Sequence, residues 1–160
     1  MGPLGTRAVA SEVSAISEGP TVPLLLTIYS PLLSERRRLV DIVSRNKIRP
    51  FITKDTAQIR EILAPGNSSL KSQSLAEAQV APGKMTLEHY HTVFEEIYYV
   101  LRGKGRMRVG NEVRGVKAGD GIAIPPGQRH QIENTGVSNL VFLCCCSPAY
   151  THENTILTSE

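Results

Sequence analysis

Turn-forming residues recur about every 8 to 12 positions from Ile48 onward, and this spacing constrains the fold more than any other feature of the sequence. Between the turns lie short runs of alternating or β-branched residues, bounded by glycine, proline and asparagine. The runs cover residues 58–63, 74–80, 87–91, 96–101, 106–109, 112–116, 121–124, 130–134 and 140–145. Short strands at regular spacing predict an all-β body, either a sandwich or a closed barrel.

The chain has 160 residues, which is room for one domain and a modest appendage. Residues 1–46 show no sustained period, so we expect an N-terminal extension that is partly flexible, unless translation begins further downstream. Within it, only residues 34–45 resemble a helix, with Ser34 as a candidate N-cap. We expect the barrel domain over residues 47–146. The polar residues 147–160 predict a C-terminal tail that runs over the barrel surface.

Charge and cysteine usage narrow the classes of function. The net charge is +3, but residues 51–160 carry 11 basic and 11 acidic side chains, so the main body lacks the basic surface typical of nucleic-acid binding. The longest apolar stretch, 22–33, contains two prolines and is shorter than the roughly 20 residues that cross a bilayer. Three consecutive cysteines, 144–146, cannot form a disulfide framework, because neighbours on a strand point to opposite faces. We therefore expect a cytoplasmic protein that binds neither nucleic acid nor membranes.

Three of the four histidines fall inside the strand-rich body. His89 and His91 lie two apart on a predicted strand, so both imidazoles project from the same face. Glu96 begins the next run, and a hairpin could bring its carboxylate against the two rings. Two histidines and a carboxylate suit Fe, Mn, Ni, Zn or Cu. The alternative at this point is that these are polar residues of a surface hairpin.

The glycines and prolines around these residues form two ordered strings. In the first, Gly83, His89, His91, Glu96 and Gly103 are separated by five, one, four and six residues. In the second, the separations are five, one, two and three residues, and the members are Gly119, Pro125, Gly127, His130 and Asn134.

Together the two strings resemble the paired motifs of the cupin superfamily, over approximately residues 74–143. The resemblance implies a jelly-roll barrel, the double-stranded β-helix, that holds one divalent metal ion inside. It also implies the ligands, which are His89, His91, Glu96 and His130.

The resemblance indicates the site better than the reaction, since one fold supports many chemistries. Four protein ligands would leave two adjacent positions on a six-coordinate metal. We expect a small metal-dependent enzyme that acts on an oxygen-rich small molecule, of the isomerase, dioxygenase or lyase type. The alternative is a metal-containing module that binds or senses a small molecule without turnover.

Several other residues have both a functional and a structural interpretation. Alternation places Tyr98 on the Glu96 face, where its phenol could donate or transfer a proton or could simply line the barrel. Glu95 should point outward. Asn134 and Asp120 suit turn bonding, and the cysteines suit packing. The basic residues that alternate around the turn at Gly103 could bind an anion, but we prefer the interpretation that they form a solvated face or protect an edge strand.

The resemblance also suggests the oligomeric state, since dimers are common among cupins. We expect a homodimer, and the face that carries Ile97, Tyr99 and Leu101 would suit either pairing or packing against a second sheet.

Overall fold

The computed structural model describes residues 40–158, and these form two antiparallel sheets. The strands are β1 (Phe51–Ile52), β2 (Gln58–Leu63), β3 (Ser74–Val80), β4 (His89–His91), β5 (Glu95–Arg102), β6 (Lys104–Val109), β7 (Glu112–Lys117), β8 (Gly121–Ile124), β9 (His130–Asn134), β10 (Leu140–Ser147) and β11 (Thr155–Leu157). One sheet has the order β1-β2-β3-β10-β5-β8, and the other has the order β11-β4-β9-β6-β7. The all-β fold class that the sequence predicts is confirmed.

The core lies between the two sheets and follows the period-2 alternation of the strands. Along β5, exposed and buried residues alternate, so that Tyr98 and Val100 face inward while Ile97 and Tyr99 face outward. Strand β10 pairs with both β3 and β5 and buries Phe142 between them. The register places Glu96 directly beside Cys146. This pairing fixes which face of β5 looks into the barrel.

Glycine is required at two positions near the start of β6, one for its backbone conformation and one for close packing. Gly103 adopts a φ of 91° in the turn after β5, a conformation that favours glycine. A Cβ on Gly105 would overlap the carbonyl oxygen of Glu133 and come within 2.8 Å of the Leu140 Cδ2 atom. The chain can therefore pass this close to β9 and β10 only without a side chain at position 105.

The described part of the N-terminal extension differs from the sequence expectation. Residues 34–39 of the predicted helix lie outside the described residues, and residues 40–44 are not helical. A single 3-10 turn, Arg45–Lys47, follows. Arg45 donates to Glu77 of β3 through its Nε and Nη2 atoms at 2.6 and 2.5 Å. This ion pair holds the segment against the sheet, which a local pattern of apolar residues cannot predict.

The C-terminal residues are not the surface tail that the sequence predicts. Residues Thr155–Leu157 form strand β11, which pairs with β4 at the edge of the five-stranded sheet. The threonine and isoleucine of this segment are β-branched, which suits a strand, but the run is too short to stand out among polar residues. Pairing with β4 places Thr155 in the interior.

Within residues 40–158, no helix has the length and apolar character needed to cross a membrane.

Candidate metal centre

The three histidines of the barrel come from one sheet and the glutamate comes from the other. His89 and His91 are the ends of the three-residue strand β4, and His130 begins β9, where it is the register partner of His89. Glu96 is the second residue of β5. All four side chains are buried. The structure therefore brings together in space the four residues of the two sequence strings that the resemblance implies as ligands.

Polar side-chain atoms of these residues lie close to one another. One ring nitrogen from each of the three histidines lies within 4.8 Å of the others. The Nε2 atoms of His91 and His130 lie 2.9 and 3.5 Å from the Oε2 atom of Glu96. The Phe94 ring stacks on His91 at a centroid distance of 4.2 Å and covers it on one side.

Hydrogen bonds at the far side of each ring determine where its proton lies. The Nδ1 atom of His89 lies 2.8 Å from the Leu87 carbonyl oxygen, and that of His130 lies 3.0 Å from the Gln128 carbonyl oxygen. A carbonyl oxygen only accepts, so both Nδ1 atoms carry hydrogen and both Nε2 atoms present a lone pair. These assignments leave the Nε2 atom of His130 buried without a hydrogen-bond partner.

His91 has polar partners on both ring nitrogens. Its Nδ1 atom lies 3.2 Å from the Thr155 hydroxyl of strand β11, and its Nε2 atom lies 2.9 Å from the Glu96 Oε2 atom. Because a carboxylate only accepts, the Nε2 atom of His91 donates to Glu96 when no cation is bound. A cation at this point would displace that proton, and the Nδ1 atom would then donate to the Thr155 hydroxyl.

The protonation of the site agrees with this interpretation. Burial alone would raise the pKa of Glu96, but the His130 and His91 rings beside it lower that pKa to about 2. Burial, and then the charge of His130, lower the pKa of His89. The site thus holds an ionised carboxylate and a neutral His89, the forms in which both groups bind a metal. The three histidines could hold a metal ion.

A cavity of about 50 Å³ adjoins the site. Two of the histidines, His89 and His91, line it together with Glu96, the cysteines at 144 and 146, and several hydroxyl-bearing side chains. The thiol of Cys146 donates to the Oε1 atom of Glu96 at 3.4 Å. Because His89, His91 and Glu96 line the cavity, a small molecule inside it would contact any ion held by these side chains.

Tyr98 lies where alternation predicts, on the same inward face as Glu96, and it lines the cavity. Its ring packs on Phe142 at a centroid distance of 4.5 Å and lies 6.0 Å from the His130 ring. Burial, reinforced by the charge of Glu96, raises the pKa of Tyr98 well above its usual value. The phenol therefore keeps its proton at neutral pH and can act as a hydrogen-bond donor.

Several residues that line the cavity were missed by sequence reasoning, and Asp55 and Thr155 are two of them. Asp55 lies in the turn between β1 and β2 and is 7% exposed, and Thr155 belongs to β11. No local motif marks Asp55 as a site residue. The only signal for Thr155 was the β-branched character of its segment, which indicates a strand but not its pairing partner.

The residues with a predicted structural role behave as expected. The amide nitrogen of Asn134 donates to the carbonyl oxygens of Val80 and Ser138, and its Oδ1 atom accepts from the Gly136 backbone. Asp120 accepts from the Lys117 backbone nitrogen in a turn. Glu95 is exposed and points away from the cavity. The basic residues around Gly103, which are Arg102, Lys104, Arg106 and Arg108, are also exposed. They lie on β5 and β6, which are inner strands of their sheets, so they form a solvated face and the edge-strand interpretation is wrong.

Comparison with protein sequences agrees with this geometry. The family model of the cupin domain matches residues 76–146. An uncharacterized protein of Methanocaldococcus jannaschii is 52% identical over 110 residues, which are 69% of this chain and 88% of that protein. An oxalate-binding protein of Thermotoga maritima is 32% identical over 90 residues, which are 56% of this chain and 74% of that protein. The tetracenomycin polyketide synthase protein TcmJ of Streptomyces glaucescens is 32% identical over 77 residues, and the chain spans about half of its length, 52%.

Comparison with solved structures gives the same fold. The crystal structure of a predicted oxalate decarboxylase from Thermotoga maritima matches with a TM-score of 0.61 and 28% identity. The match covers 68% of this chain and 99% of that one. A full-length barrel of another protein thus superimposes on the strand-rich body.

Proposed function

Because the chain belongs to the cupin family, we propose that it is a small metal-dependent enzyme that acts on an oxygen-rich small molecule. The proposed ligands of the divalent ion are His89, His91, Glu96 and His130. The ion itself would be Fe, Mn, Ni, Zn or Cu, all of which accept nitrogen and carboxylate ligands. The reaction would be of the isomerase, dioxygenase or lyase type.

One observation carries the proposal, namely that one ring nitrogen from each of three buried histidines lies within 4.8 Å of the others, beside the buried Glu96 carboxylate. Structural zinc sites are normally closed and rich in cysteine, whereas the cluster of histidines and Glu96 opens onto a cavity. A bound divalent ion would supply Lewis-acid activation of an oxygen atom of the substrate. The chain's own residues would orient the substrate and exclude bulk water from it.

Loss of a ligand should lower the metal content. We expect His91→Ala and Glu96→Ala to reduce bound metal at least about tenfold, because each change removes one of four donors. Elemental analysis of protein purified without chelator measures the effect. Glu95→Ala is the matched control, since Glu95 neighbours Glu96 but is exposed. Equal metal retention in all three variants would refute the ligand assignment.

Tyr98 is proposed as a catalytic residue that donates a hydrogen bond to the substrate. Its place in the cavity, on the same inward face of β5 as Glu96, supports this role. We expect Tyr98→Phe to lower turnover by about tenfold or more, because the positioned donor is lost. Metal content should stay at the wild-type level. A variant with unchanged turnover on a substrate that the wild type converts would assign Tyr98 to barrel packing alone.

A second candidate is a metal-containing module that binds a small molecule without turnover. The name of the Thermotoga maritima relative, an oxalate-binding protein, favours this alternative. The two candidates differ in what happens to a bound compound. Oxygen consumption or product formation with the metal-loaded protein supports the enzyme. Tight binding with no product under any of the five metals supports the binding module.

We further propose a homodimer that forms through the outer face of β5. Ile97, Tyr99 and Leu101 are 52%, 45% and 43% exposed there, and together they form an apolar stripe on the sheet. An Ile97→Glu change would place a charge in that interface and should convert the dimer to a monomer. Light scattering after size-exclusion chromatography measures the mass. A wild-type monomer contradicts this proposal.

We propose a cytoplasmic location because of the three cysteines. Cys144, Cys145 and Cys146 are all free thiols, which suits a reducing compartment. Fractionation of the source cells with detection of the native chain tests this location.

A further inference from the structure

The walls of the cavity carry negative charge and no permanent positive charge. Asp55, Glu61 and Glu96 line it, and among the residues that the structure describes no lysine or arginine does so. Neither Asp55 nor Glu61 takes part in a salt bridge with a described residue. The two buried carboxylates, Asp55 and Glu96, would already balance the charge of a divalent ion held at the site.

The basic side chains nearest to Asp55 in the sequence have polar partners other than Asp55. The Lys54 ammonium donates to the carbonyl oxygens of His152 and Thr155 at 2.8 and 3.2 Å. Arg60 lies on the outer side of β2, where its Nη1 atom is 3.5 Å from Glu77. Neither side chain is therefore placed to neutralise an anion inside the barrel.

The backbone and side chain of Asp55 are both fixed in place. Its Oδ1 atom accepts a hydrogen bond from the Thr53 hydroxyl, and its carbonyl oxygen accepts from the Leu87 nitrogen at 2.8 Å. The next residue, Thr56, has a φ of 74°, which is unfavourable for a β-branched side chain. Strained backbone of this kind tends to occur where function demands a particular geometry. The turn thus holds a buried carboxylate at the cavity wall.

The size and remaining lining of the cavity restrict what can enter. A volume of about 50 Å³ corresponds to only a few water-sized positions. The lining includes apolar side chains, from Phe142 and Ile59, and hydroxyl groups, from Thr53 and Ser74. An entering dianion would leave excess negative charge in a buried space, and such a charge is costly when it lacks a partner. A neutral molecule that donates hydrogen bonds would incur no such cost and would satisfy Asp55.

We propose that this cavity selects an uncharged, hydrogen-bond-donating small molecule over a dianion, and that Asp55 is the residue that determines this selectivity. This inference rests on the proposed function, because it places the ligand beside the metal. It distinguishes the chain from its oxalate-binding relative, since oxalate is a dianion at neutral pH.

Two probes of the same shape test the inference. Oxalate and oxamide are both planar and have the same number of non-hydrogen atoms, but only oxalate is charged and only oxamide donates hydrogen bonds. Isothermal titration calorimetry with each probe would compare manganese-loaded wild type, Asp55→Asn and Glu95→Gln. Asparagine keeps the oxygen that accepts from Thr53, so the turn is preserved. The Glu95→Gln control removes one charge outside the cavity.

We expect Asp55→Asn to shift the ratio of the two dissociation constants by about tenfold or more in favour of oxalate, because one buried negative charge is removed. The control should leave the ratio unchanged. An unchanged ratio in Asp55→Asn overturns the inference, and so does a failure of both probes to bind any of the three proteins. Elemental analysis of the same samples separates the two proposals: bound metal with an unchanged ratio overturns only the selectivity, whereas absence of metal overturns the proposed function as well.

Discussion

The Nδ1 atom of each histidine has a polar partner that orients its ring. Leu87 and Gln128 contribute carbonyl oxygens, and Thr155 contributes a hydroxyl. Each partner fixes the direction in which the Nε2 atom of its ring points. Such outer partners set the orientation and basicity of ligands, so their loss weakens binding even though the ligands stay in place.

Removal of the Thr155 hydroxyl should therefore weaken metal binding. Thr155→Val preserves the shape of the side chain but leaves the Nδ1 atom of His91 without the hydroxyl that would accept its proton when Nε2 binds a metal. We expect metal affinity to fall by about tenfold to a hundredfold. Competition with a chelator of known affinity measures the effect.

The matched control for this change is Thr158→Val, which removes a hydroxyl that bonds to Glu88 just beyond the end of β11. Its metal affinity should equal that of the wild type. If both variants lose affinity equally, the effect belongs to β11 as a whole and not to the bond with His91.

At the scale of elements, strand β6 depends on the absence of a side chain at one position. Gly105 packs against the Glu133 backbone of β9 and the Leu140 side chain of β10, whereas a Cβ on Gly115 of the paired strand β7 would meet no atom within 4 Å. We expect Gly105→Ala to lower the free energy of unfolding by about 1–3 kcal/mol through overpacking. Urea denaturation measures this change.

Gly115→Ala serves as the comparison, because it adds the same methyl group to the neighbouring strand in open space. Its free energy of unfolding should stay within about 0.5 kcal/mol of the wild type. Equal destabilisation by the two changes would mean that strand propensity, and not close packing, explains the glycine at 105.

At the scale of the whole molecule, acid should destabilise the metal-free protein in two stages. The lowered pKa of His89 keeps its ring neutral in the folded chain, so stability falls as the pH drops below about 6.5, where the unfolded chain takes up the proton. The ionised Glu96 contributes fully above its ordinary pKa of 4.5, and this contribution is lost as the pH falls through about 2. Loss of the Glu96 contribution in the second stage lowers the free energy of unfolding by about 3 kcal/mol.

Urea denaturation of the metal-free protein at about pH 7, 5 and 3 would reveal both stages. We expect Glu96→Gln to show a shallower loss of stability below about pH 4.5, since it has no carboxylate to protonate there. Some dependence of stability on pH should remain in this variant, because hydrogen bonds with Arg45 also lower the pKa of Glu77. Glu95→Gln should follow the wild-type curve. Identical curves for the Glu96 and Glu95 variants would contradict the assignment.

Much of the barrel follows from local patterns in the chain. The predicted runs at 58–63, 74–80, 121–124 and 130–134 coincide with β2, β3, β8 and β9, because alternation and turn residues act over a few positions. Strand β1 was missed because it contains only two residues. Strand β11 was missed because it is stabilised by pairing with β4, a contact that spans 64 residues between Thr155 and His91.

The sequence by itself predicted most of the strands and turns, and it placed His89 and His91 on one face, since spacing along a strand fixes which residues share a face. The full set of four side chains was implied only by the resemblance to cupins. Only the tertiary structure decided what surrounds them. Asp55 reaches the cavity because the β1–β2 turn is bonded to Leu87, and Thr155 reaches His91 because β11 closes the sheet edge. Both placements depend on contacts between distant segments, and no local pattern of residues encodes such contacts.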